Sequence, residues 1–199
     1  MFVRSLLLFF AALPITWAQA GEGHDPNHGE ADSHSHHHHD HADAGAASAH
    51  VHGEVMLQLA LQGNDLQMQL ESPAMNIVGF EHRASTPKQI ESVAAAEAKL
   101  RQVTNWLTLQ GGECQAINVV PDLNDVLPEA EAGGDQHGHA DIHVDAQFRC
   151  SQPGHLRGLQ IALFGDFPGV EKITVQWVFN GEAGERSITG DNPTLRFDD

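Results

Sequence analysis

From Val51 onward the odd positions are apolar (Val51, Val55, Leu57, Leu59, Leu61), while His50, His52, Glu54 and Gln58 fall on the other face. A period of two predicts a half-buried strand. Gln62-Gly63-Asn64-Asp65 supplies a turn, and Leu66, Met68 and Leu70 then alternate with Gln67, Gln69 and Glu71. The two runs read as a β-hairpin. Thr86-Pro87-Lys88-Gln89 offers a helix start, with an N-cap threonine, proline at N1 and a glutamine that completes a capping box. Ile90, Val93, Ala96, Leu100, Val103 and Leu107 recur at helical spacing until Gly111-Gly112 stops the pattern. Further strands are predicted near 113–120, 140–150, 159–164 and 172–180, with a short one at 194–197, and Asn180-Gly181 marks a hairpin. Two meanders separated by a helix predict an α+β domain over 50–199: a mostly antiparallel sheet with one long helix packed on one face.

The start of the chain has a different pattern. Met1 to Arg4 form a short positive stretch, Leu6 to Ala12 an apolar run, and Ala18-Gln19-Ala20 a small-x-small site. These are the parts of a secretory signal peptide, with cleavage expected after Ala20. The apolar run is shorter than the ~20 residues that span a bilayer, and no second span follows. The expectation is an exported protein in an oxidising compartment, most simply a bacterial periplasm. In such a compartment Cys114 and Cys150 read as one structural disulfide. The alternative is a pair of thiolate ligands, although CxxC spacing is absent.

Charge and histidine content narrow the function. The chain has 10 Lys and Arg against 27 Asp and Glu, a formal charge of -17, and 15 histidines. That balance argues against nucleic acid and against anionic membrane surfaces, both of which require a basic face. Residues 21–49 contain no Lys, no Arg and no large apolar side chain. They hold His24, His28, His34, His36, His37, His38, His39 and His41 among six acids. Such a segment is expected to be a disordered arm that collects metal weakly, His34 to His41 above all. Asp32, Ser33, Ser35 and Asp40 break up the histidines, unlike an affinity tag. A second acidic stretch, 121–138, reads as a mobile insertion between strands.

A further cluster falls on a predicted strand. Ala140, Ile142, Val144, Ala146 and Phe148 form one face, and His137, His139, Asp141, His143 and Asp145 the other. Same-face neighbours lie roughly 6.6 Å apart, close enough to converge on one ion. Imidazoles and carboxylates suit zinc, which takes about four ligands. His50 and His52 present a similar pair on the first strand. His82 precedes the helix and is compatible with a structural or a ligating role, while His155 follows Pro153-Gly154 in a loop.

His50-Val51-His52-Gly53 opens the first strand, and Glu71-Ser-Pro-Ala-Met-Asn-Ile-Val-Gly-Phe-Glu-His82 follows the hairpin. With Cys114, His139-Ala140-Asp141 leading to Cys150, and the run from Leu163 to Gln176, these segments resemble the ZrgA family of periplasmic zinc-uptake proteins. The resemblance covers nearly everything from His50 onward. It implies zinc as the metal, bound in the periplasm in support of import, and a His-rich stretch in the middle of the chain or near the mature N-terminus. Carried over by position, His50, His52, His82, His139 and Asp141 are the matching candidates for an ordered site; the strand pattern adds His143. One departure stands out: the central insertion has only His137 before the shared motif, and the histidines are concentrated in the N-terminal arm.

The main rival is a zinc-dependent hydrolase. His137-Gly-His139-Ala-Asp141-Ile142 comes near HxHxDH, but Ile142 replaces the last histidine. HExxH, GxSxG and Gly-rich phosphate loops are absent, so no catalytic residue is assigned and no enzyme is expected. A histidine-based envelope pH or metal sensor is a third class, since imidazoles charge near ~6.5. Only four methionines, without a Met-x-Met cluster, argue against Cu(I). The sequence reading is a zinc-binding accessory or chaperone protein whose partners are Zn2+ and a zinc ABC-type importer or its binding protein.

Overall fold

The computed structural model describes residues 51–128, 140–179 and 181–197. The chain divides into two units, Met1–Ala44 and Gly45–Asp199, and every described residue belongs to the second. The expected signal peptide (1–20), the arm (21–49), His50, His137 and His139 lie outside the described residues.

The alternating run forms the hairpin β1 (Glu54–Gln62) and β2 (Asp65–Pro73), antiparallel with Leu59 opposite Met68. Its inward row, Val55, Leu57, Leu59, Leu61, Leu66, Met68 and Leu70, is buried. The remaining strands are β3 (Leu107–Gln110), β4 (Cys114–Asp122), β5 (Asp141–Cys150), β6 (Gly158–Ile161), β7 (Lys172–Phe179), β8 (Glu182–Thr189) and β9 (Thr194–Arg196). One sheet has six strands in the order β4-β5-β2-β1-β7-β8, and the other has three, β3-β6-β9. β1 and β7 run parallel, while the other neighbours in both sheets are antiparallel. Alternation along β5 buries Ile142, Val144, Ala146 and Phe148 against the same core and leaves His143, Asp145, Gln147 and Arg149 outside. No helix among the described residues is long and apolar enough to cross a membrane.

The α+β expectation is corrected. The described residues are mostly β, with nine strands in two sheets, and α2 (Pro87–Arg101) is the one described helix longer than five residues. The others are α1 (Ala74–Val78), α3 (Val103–Trp106) and α4 (Leu163–Asp166). No long helix covers one face of a single sheet, because the six-residue apolar stripe is divided among three elements. Val93, Ala96 and Leu100 are buried on α2, Val103 belongs to α3, Leu107 opens β3, and Ile90 is exposed. The capping box of Thr86 and Gln89 starts α2 as expected. Its end is set by Gln102, which leaves helical geometry at φ -89 and ψ 59. The Trp106 indole N–H then donates to the Leu100 carbonyl at 3.1 Å, taking one of the acceptors that a helix end leaves open.

Cys114 and Cys150 form the expected disulfide across an in-register pair of β4 and β5, with Cα atoms 3.8 Å apart.

Candidate metal centre

At one end of the larger sheet β1, β5 and β7 begin and β2 and β4 end. Asn76 organises this end from the Ser72-Pro73-Ala74-Met75-Asn76 corner. Its side chain is buried, accepts from the Gly53 N–H at 2.7 Å, and donates to the Glu54 carbonyl at 2.9 Å and to Ser72 Oγ at 3.3 Å. The Gly53 carbonyl accepts from the N–H groups of Glu171 and Lys172 at 2.8 and 2.9 Å. Gly53 sits at φ +87, and a Cβ there would lie 3.1 Å from the Glu171 side chain. That conformation suits glycine. His52, the preceding residue, is thereby held at the mouth of β1.

A second segment meets it. Gly79, at φ +84, ends α1 and sends the chain through 80–85 to α2. Glu81 Oε1 lies 2.8 Å from His52 Nε2, joining positions 29 residues apart. His82 is exposed and stacks on Phe80, with ring centroids 5.0 Å apart. Its Nδ1 is 2.9 Å from the Arg83 carbonyl, which only accepts, so Nδ1 carries the hydrogen and Nε2 the lone pair. The Gln89 amide nitrogen faces that Nε2 at 3.4 Å. Arg83 reaches the carbonyls of Asn124 and Leu127 at 3.4 and 3.3 Å, and the Ala84 N–H donates to Val126 at 2.9 Å. The Ala74 N–H donates to the Ala140 carbonyl at 2.8 Å. Both described flanks of 129–139 are thus tied to α1 and the His82 segment.

Asp141 opens β5 half-buried, opposite Pro73. His143 lies further in and is exposed, directly between Glu71 of β2 and Asp122 of β4, with Asp145 two residues on. Asp145 accepts from Gln69 at 3.0 Å. These side chains line a cavity of about 220 Å³ with Met56 and Gln58. Along the ladder His143 is two strands and four residues from His52, roughly 15 Å. That separation sets His143 apart from His52 along the sheet. Among the described residues no three His, Cys, Asp or Glu side chains form a group ready to hold a metal ion. The structure brings His52 together with the Glu81-His82 segment, puts Asp141 at the start of β5 at the same end of the sheet, and sets His143 further along that strand.

His155 lies at the far end of the sheet, beside the disulfide, with Nδ1 2.7 Å from Gln152 Oε1. Nearby Glu113 is held below the usual carboxylate range, chiefly by a hydrogen bond from Ser151 and then one from Gln152, against an opposing desolvation and with a smaller electrostatic contribution from His155.

The pattern of histidines overlooked Asn76, Glu71 and Asp122, and it passed over Glu81 although His82 adjoins it. Only the register across strands puts Glu71 and Asp122 beside His143, and only the fold brings Glu81 to His52; the proximity of Glu81 to His82 was the one local signal. The family described as ZrgA family zinc uptake protein matches over residues 49–197. No curated protein matches the chain.

Proposed function

The chain belongs to the ZrgA family of zinc uptake proteins, and from that premise we propose that it is a periplasmic zinc-binding accessory protein that gathers zinc and passes it to an importer. A role in zinc uptake comes with the family, which is not a known enzyme family. The disulfide is consistent with an exported protein.

The observation that carries the finer reading is the convergence of His52 and the Glu81-His82 segment at one end of the sheet. Asp141 lies on β5, which starts at the same end. In the sequence His50 is two residues before His52, and His139 is two before Asp141. The ordered ion takes its ligands from His50, His52, His82, His139 and Asp141. His143, with carboxylates on both neighbouring strands, belongs to a separate polar patch. The arm, with His34, His36, His37, His38, His39 and His41, captures zinc loosely, and its tether raises the local zinc concentration for the body.

A competitive zinc titration of the mature chain, with and without residues 21–49, tests this division. The shortened chain is expected to keep a single tight site while the weak, multiple sites disappear. Retention of weak binding alone would overturn the ordered site and make the arm the zinc store.

A further inference from the structure

We infer that Glu81 is the positioning residue for His52, fixing the ring so that Nδ1, and not Nε2, takes the zinc ion. This rests on the reading of His52 as a ligand and goes beyond it by naming the coordinating atom and the group that selects it.

The pair is asymmetric. A carboxylate at neutral pH only accepts, so the 2.8 Å contact to Glu81 Oε1 places a hydrogen on His52 Nε2. In the neutral ring the lone pair is then on Nδ1. The Glu81 side chain is 15% exposed and that of His52 54%, so the acid is the seated partner and the imidazole the one open to an incoming ion. Each partner is fixed by its own backbone. His52 adjoins Gly53, which Asn76, Glu171 and Lys172 hold through three hydrogen bonds. Glu81 sits between the Gly79 cap of α1 and the Arg83 and Ala84 anchors to the 3-10 turn Asn124–Val126. A carboxylate behind a ligating imidazole orients the ring and raises its basicity as a donor.

His82 makes the opposite choice. It spends Nδ1–H on the Arg83 carbonyl and presents Nε2. The two rings therefore offer different nitrogens, His52 through Nδ1 and His82 through Nε2. The alternative is that Glu81 is itself an oxygen ligand, which would require the His52 contact to open when zinc binds.

The experiment reads both nitrogens directly. Imidazole 15N correlation spectra of the full chain, with His52 assigned by comparison with His52→Gln, are expected to show an Nε2-protonated ring without metal. On adding substoichiometric zinc, the His52 Nδ1 resonance should shift while the Nε2–H survives. Loss of the Nε2–H with ligation at Nε2 would overturn the inference. Competitive titration supplies the second arm. Glu81→Ala should weaken the tight site about 10- to 100-fold, and Glu81→Gln, which keeps an acceptor oxygen, should weaken it less. Equal losses in both variants would make Glu81 a direct ligand, and no loss in either would remove it from the site, provided His52→Gln does lose affinity. If His52→Gln binds zinc as tightly as the parent, the ligand role of His52 falls and the positioning role with it. Far-UV circular dichroism of each variant confirms that the sheets are intact.

Discussion

Asn76 is buried, yet its side-chain oxygen and nitrogen both have partners: the Gly53 N–H, the Glu54 carbonyl and Ser72 Oγ. Asn76→Ala removes all three hydrogen bonds and leaves the Gly53 N–H buried without its acceptor. An unsatisfied buried donor costs about 1–3 kcal/mol, and the other losses add to it, so we expect about 2–4 kcal/mol of destabilisation by urea unfolding. Glu113 gives a second prediction at this scale. Its pKa in the folded chain lies below the unfolded value, because Ser151 and Gln152 hydrogen-bond the ionised form. The sign follows: its contribution to stability is present above the ordinary glutamate range and is lost as pH falls through the lower, folded pKa. An NMR titration of the Glu113 carboxyl should show that depressed midpoint, and Ser151→Ala should move it upward. Sequence names His52 and His82 as candidate ligands, whereas the contact of Glu81 with His52 spans 29 residues and has no local pattern. The candidate residues could be named from the sequence, and their partners could not.

Among the elements, strands with strict alternation were legible and those held by their neighbours were not. β1, β2 and β5 carry their burial in their own sequence, one apolar face each. β8 does not: of its eight residues only Ile188 is buried, and pairing with β7 through contacts such as Gln176 to Glu185 at 2.7 Å holds it in place. Helical spacing from Ile90 to Leu107 misled for a related reason. A buried position counts the same to the core whether a helix or a strand supplies it, so Leu107 keeps the spacing while lying in β3. The Trp106 indole marks the change, since its N–H occupies the Leu100 carbonyl. Trp106→Phe keeps most of the volume and loses this bond; unfolding should show a loss of about 1–2 kcal/mol. The disulfide acts on β4, the edge strand that carries Asp122. It closes a separation of 36 residues, and by chain entropy its reduction should cost about 3–4 kcal/mol, read as the drop in unfolding free energy between oxidised and reduced chain.

For the whole molecule, charge and histidine content bear on the zinc binding proposed above. A formal charge of -17 draws Zn2+ towards the chain and repels polyanions, so capture should slow as salt screens that field. Affinity depends instead on lone pairs. Carboxylates stay ionised down to about pH 4, whereas an ordinary imidazole gains its proton near ~6.5 and can no longer ligate. Zinc binding to an imidazole set therefore releases protons below that pH, and each ligating ring adds to the slope of affinity against pH. A site of carboxylates alone would be almost flat over the same range. The prediction is that the tight site weakens by at least about tenfold between pH 7.5 and pH 5, with proton release detectable by zinc titration in buffers of different ionisation enthalpy. Equal affinity at the two pH values would remove imidazole from the ligand set and leave the acids around His143, namely Glu71, Asp122 and Asp145, as the groups to test by substitution.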